Sequence, residues 1–207
     1  MPSEMGFRRL VGFSDAVVAI AMTLLVLPLV DAAGRIGTTG VGTFLDDNKT
    51  KLLAFFLSFL VIARFWWEQH QVYERVKAYN GVLVAGMFIW LLSIVFLPFP
   101  TELLSSAQSS NHVASHALYV GTLLVAALAG LLQRWAIVHW KELQIEEFHD
   151  TGGMGSAVAV TLLIAVALIV SITIPSVGLW SLLLITLPGR TMRRVAFFRK
   201  RFHHHTR

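Results

Sequence analysis

Six continuously apolar runs, separated by short polar connections, constrain this chain more than any other feature. They are Leu10 to Val30, Leu52 to Trp67, Gly81 to Phe99, Val113 to Trp140, Ala157 to Ile174 and Val177 to Leu187. A helix needs about 20 apolar residues to cross a bilayer, and the 207 residues have room for six such crossings. The second run can continue as a helix to about Tyr79. The third is expected to stop at Pro98 and Pro100, before a Ser-rich loop from Thr101 to Asn111. The sixth spans only about 16 Å as a helix, unless Met192 and Val195 to Phe198 extend it. A membrane barrel would alternate apolar and polar residues over segments of about ten, and these runs do not alternate. At 56% hydrophobic and 14% charged, the composition is also far from that of a soluble domain. The reading is an all-α integral membrane protein, with residues 1–207 forming one domain that ends in a short basic tail from about 190 to 207.

Lys and Arg set the orientation. With six crossings and the N-terminus inside, the inner side holds Arg8, Arg9, Arg75, Lys77, Arg134 and Lys141. It also holds the tail's Arg190, Arg193, Arg194, Arg199, Lys200, Arg201 and Arg207. The outer side keeps Arg35, Lys49 and Lys51, which satisfies the positive-inside rule with both termini cytoplasmic. A cleaved leader is the competing reading of the N-terminus, from Arg8–Arg9, an apolar core from Ala16 to Val30 and small residues at Ala32–Ala33. Ser14–Asp15 interrupts entry to that core and Pro28 sits late in it, so a retained crossing is the expectation.

Two features of the first run carry chemistry. Asp15 lies inside an apolar segment, where an ionised carboxylate costs about 2.5–3.5 kcal/mol on insertion scales. It needs water or a partner, or else acts as a helix start near the inner interface. The second helix returns inward, and its inner part, at the height of Asp15, carries Arg64, Trp66, Trp67, Glu68 and His70. Indole, imidazole and guanidinium groups are all donors to a carboxylate, although interfacial Trp anchoring with a snorkelling Arg produces the same pattern. Separately, Ala16, Ile20, Thr23 and Leu27 follow i, i+4, i+7, i+11 spacing and form one narrow stripe. Ser14 and Asp15 point elsewhere. Copies meeting at this stripe would line a path of apolar rings with one ring of hydroxyls, and an ordinary helix–helix seam has the same composition.

Arg9, Phe13, Ser14 and Asp15, with Ala19–Ile20, Thr23–Leu24 and Leu27 behind them, resemble the signature of the transmembrane protein 175 family of lysosomal potassium channels and their shorter prokaryotic relatives. Trp67 and His70 on the second helix, Asn80 opening the third, and Pro98 to Glu102 after it extend the resemblance over roughly the first half of the chain. The second half matches in span count and basic tail only. The resemblance implies a homotetramer of six-helix subunits around a central pore lined by the first helix, as in the prokaryotic members, in a prokaryotic plasma membrane. It implies a pore constriction at Ile20 and Leu27, a selectivity-associated hydroxyl at Thr23, and a signature (Arg9, Phe13, Ser14, Asp15) that holds the pore helix through Trp67 and His70. The partners implied are potassium and other monovalent cations, further copies of the chain, and membrane lipid. No nucleic acid, cofactor or metal is implied.

The resulting expectation is passive, potassium-preferring cation conduction. The alternative is a proton- or cation-coupled secondary transporter with Asp15, His70 and Arg64 as a relay, against which a continuous first helix argues. Weaker features do not change this. Thr39 to Thr43 (Thr-Gly-Val-Gly-Thr) has no reentrant helix before it to make a carbonyl filter. His139, Glu142, Glu146 and His149 have helical spacing but not the zincin order. His203 to His205 sit in the basic tail, and no enzyme motif is present.

Overall fold

A computed structural model describes residues 4–34, 40–106, 112–145 and 153–173. These are almost wholly helical: α1 (Glu4–Leu24), α2 (Leu27–Ala33), α3 (Val41–Asp47), α4 (Lys49–Tyr73), α5 (Gly81–Phe96), α6 (Pro98–Ser106), α7 (His112–His139) and α8 (Gly153–Thr173). A 3-10 turn, Lys141–Leu143, follows α7. Among the described residues, four segments are long and apolar enough to cross a membrane: Glu4–Ala33, Lys49–Tyr73, Gly81–Ser106 and Val113–His139. The fifth expected crossing appears as α8, whose apolar part is the shorter Met154–Ile169. The sixth, Val177 to Leu187, lies outside the described residues, as does the tail from 190.

Proline chemistry corrects two expectations. The first helix is not continuous. Pro28 has no N–H to give the Leu24 carbonyl, so the chain tightens at Leu25–Val26, where the Val26 N–H donates to Thr23 O at 3.3 Å. It then restarts as α2 with the proline in its first turn. At Pro98 the helix α5 does end, at Phe96, but the chain is helical again at once. Pro98 opens α6, where the missing N–H is not needed, and the Thr101 N–H and hydroxyl both donate to Leu97 O. Thr101 to Ser106 are therefore helical rather than loop. The second crossing ends at Tyr73 rather than near Tyr79. The connection between the first two crossings also contains α3, whose helix takes up Val41 to Thr43 of the glycine- and threonine-rich stretch.

Asn80 opens α5 as a side-chain cap, its Oδ1 accepting from the Leu83 N–H at 2.9 Å, which satisfies one of the free amides at the helix start. After the C-terminal ends of α4 and α7, the following loops pair as an isolated antiparallel bridge, Val76 with Gln144. Lys77 N–H donates to Leu143 O at 2.9 Å and Ile145 N–H to Arg75 O at 3.2 Å. Helix α7 packs between α5 and α8, α4 lies on α6, and α1 rests on α5 and α4. Trp90, Tyr119, Ile62, Leu83, Met87 and Ile164 are among the most deeply buried core side chains. Gly86 lets α5 approach α7 closely, since a Cβ there would lie 2.8 Å from Gln133 Cγ.

Candidate functional site

The first crossing has two unlike faces. Phe7, Ser14, Val18, Ala21 and Leu25 are buried against the rest of the chain, and their spacing of seven, four, three and four keeps them on one side of the helix. At about 100° per residue, the Ala16, Ile20, Thr23 and Leu27 stripe lies roughly opposite. Ile20 is 60% exposed and Leu27 53%, and Ala16 and Thr23 are exposed as well. Among the described residues, the stripe is therefore not a seam between helices of this chain. The Thr23 hydroxyl donates to Ile20 O at 2.7 Å. That bond uses its proton and leaves the oxygen lone pairs directed away from the backbone.

The signature residues lie around the N-terminal half of α1. Asp15 Oδ1 accepts a hydrogen bond from Trp66 Nε1 at 2.7 Å, joining α1 to α4 across 51 positions of sequence. Depth alone had placed Trp66 among the candidate donors, whereas the resemblance pointed to Trp67 and His70. Those two lie beside the contact instead. His70 stacks on the Trp66 ring at 5.3 Å and on Trp67 at 6.1 Å, and no hydrogen bond among the described residues joins either one to the carboxylate. Trp66 and Trp67 follow each other in sequence, and on a helix adjacent side chains diverge by about 100°, so only one of the pair can face α1. Ser14 is 2% exposed on the packed face. Phe13 remains half-exposed with its ring 6.3 Å from Phe88 of α5, and Arg9 is exposed.

The other two relay candidates are occupied locally. Arg64 pairs with Glu68 one turn along α4, at 2.5 Å, and His70 Nε2 is 3.5 Å from Glu74. Asp15, His70 and Arg64 therefore do not form one chain of proton-exchanging contacts, because the carboxylate's partner is an indole that does not titrate.

Two buried polar groupings were not singled out in the sequence. In the first, the Ser58 hydroxyl lies 2.9 Å from Thr101 Oγ1 and 3.1 Å from the Tyr119 hydroxyl, tying α4, α6 and α7 together. In the second, Gln133 Oε1 accepts from the Tyr73 hydroxyl at 2.5 Å and from Gln69 Nε2. Apolar runs hide such residues, because a buried hydroxyl or amide does not disturb the hydropathy of its segment. The only sequence signal is a polar residue within an otherwise apolar stretch. Of the four residues with helical metal-ligand spacing, Glu146 and His149 lie outside the described residues.

Residues 9–98 match the family model of the endosomal/lysosomal potassium channel TMEM175. The chain is 31% identical over 125 residues to a protein of Streptomyces collinus named a potassium channel, covering 58% of each. It is 32% identical over 130 residues to one of Chamaesiphon minutus, covering 61% of this chain and 64% of that one. These alignments thus span about three fifths of the relatives' length. The fold matches the crystal structure of a lysosomal potassium-selective channel TMEM175 homolog from Chamaesiphon minutus with a TM-score of 0.74. That match is at 23% identity, over 88% of this chain and 95% of the other. The resemblance read from the Arg9 to Asp15 signature therefore stands.

Proposed function

We propose, from the premise that residues 9–98 are TMEM175-family sequence, that this chain is one subunit of a potassium-preferring cation channel in a prokaryotic plasma membrane. Each subunit crosses six times with both termini cytoplasmic. Four copies surround a pore lined by the first helix, with Ile20 and Leu27 as its constriction and Thr23 as its hydroxyl ring. Arg9, Phe13, Ser14 and Asp15 hold that helix to its own subunit, with Trp67 and His70 shaping the aromatic wall beside Asp15. The protein is a conductor rather than an enzyme.

The observation that carries this reading is the exposure of Ile20, 60%, on the side of α1 opposite its packed face. Exposure alone suits lipid equally well. The small Ala16 and Ala19 and the hydroxyl of Thr23 on the same side suit close approach of further helices about an axis, where bulky apolar side chains would keep backbones apart. Isoleucine rings across a narrow path make a dewetting barrier that an ion passes only when the ring widens. Thr23 oxygens, whose protons are committed to Ile20 O, then replace part of the ion's lost hydration. One hydroxyl ring supplies few ligands, so potassium-over-sodium discrimination is weaker than that of a carbonyl filter.

Planar-bilayer recording of the purified protein is the test. Unitary steps are expected, with Ile20→Asn increasing permeation by wetting the constriction and Thr23→Val altering the potassium-to-sodium permeability ratio. Unchanged flux in assembled Ile20→Asn channels removes the constriction from Ile20, and an unaltered ratio removes Thr23 from selectivity. Coupled transport is disfavoured by the separate partners of Asp15 and Arg64, and predicts flux tied to a pH gradient in place of unitary steps.

A further inference from the structure

Gln133 lies outside the segment that matches the family, on α7. Its side chain is 0% exposed, and its one amide oxygen accepts from two residues of α4, Tyr73 and Gln69. Gly86 of α5 packs against the same point, with no room for a Cβ beside Gln133 Cγ. Three helices thus converge on one amide. Its Nε2 has no partner among the described residues, a burial cost that leucine would avoid, so what the glutamine contributes is its oxygen. That oxygen fixes the Tyr73 ring, and the Tyr73 ring is the surface on which Phe7 of α1 rests edge-on at 5.6 Å and 88°.

We propose that Gln133 is a positioning residue for the pore helix, tying the inner end of α1 to α7 through Tyr73. This rests on the channel reading above. Asp15 and Trp66 provide a second tie eight residues further along α1, about 12 Å higher. Two ties at different heights fix both the tilt and the axial rotation of a helix, whereas one leaves it free to pivot. Ile20 follows five residues after the upper tie, so the direction in which the stripe faces depends on both. A pivoting helix lets the apolar ring collapse toward its dewetted, closed arrangement.

The test is single-channel recording of the full chain carrying Gln133→Leu, Gln69→Leu and Tyr73→Phe together. Removing all the polar partners at once leaves no buried donor stranded and is nearly neutral for stability, so a purely structural role predicts natural gating in this variant. The expected result is a melting temperature and unitary conductance like those of the natural chain, with mean open time shortened about fivefold, the size of one hydrogen bond's net contribution. Open times equal to the natural chain's overturn the proposal. If the triple variant does not assemble, Tyr73→Phe alone removes one hydroxyl and is read in the same way, with unchanged dwell times again overturning it. Absence of unitary steps in the natural chain overturns the channel reading itself, whereas steps with unaltered variant gating overturn only the role of Gln133.

Discussion

A carboxylate inside an apolar helix needs a compensating donor, and here an indole supplies it. Trp66→Phe keeps the ring's packing and deletes the N–H that meets Asp15. The expected cost is about 2 kcal/mol, as for other hydrogen bonds to charged groups, seen as a lowered melting temperature in detergent. Adding Asp15→Asn to that variant recovers part of the loss, because a neutral amide is cheaper to leave unpaired than a carboxylate. Full stability in Trp66→Phe would show that Asp15 is satisfied by water. The need for a donor was legible in the sequence, as was the stretch of α4 that supplies it. Which of two neighbouring tryptophans faces α1 depends on helix phase, and phase is set by packing that hydropathy does not encode. The Gln133 and Ser58 groupings were legible only as polar residues within apolar runs and not as groupings, since each joins residues that are far apart in the chain.

Helix boundaries were legible where a side chain settles them and obscure where proline does. Asn80 caps α5 through Leu83 N–H, and Asn80→Ala is expected to cost about 1 kcal/mol, measured by chemical or thermal denaturation. Pro98 and Pro28 illustrate the difficulty. Each removes one N–H, and each ends one helix and sits in the first turn of the next, Pro28 in α2 and Pro98 in α6. The run from Gly81 could therefore not reveal that the chain re-enters helix at Pro98. Between elements, Gly86 governs how closely α5 and α7 approach. Gly86→Ala puts a methyl 2.8 Å from Gln133 Cγ and is expected to destabilise by about 1–3 kcal/mol through overpacking. A neutral result would mean that the glutamine stem moves aside readily.

At the scale of the whole molecule, the membrane class and its helical character were fully legible, because long uncharged runs admit no other solution in a bilayer. The subunit's two-faced first helix was legible as a stripe but not as a surface, since the same spacing describes a seam. The packed face, through Phe7, Ser14, Val18 and Ala21, lies on the opposite side of α1 from the stripe. The central claim is that the stripe faces an aqueous path shared by several copies, and the chain suits a direct test because it contains no Cys. Single cysteines placed at Ile20, Thr23 and Leu27, and at Leu92 of α5, which is 70% exposed, are treated with a cationic thiol reagent during bilayer recording. Such reagents attack the hydrated thiolate. Block at the three stripe positions with none at Leu92 is the predicted result, and current that persists unchanged after exposure of Ile20→Cys and Thr23→Cys to the reagent would contradict it.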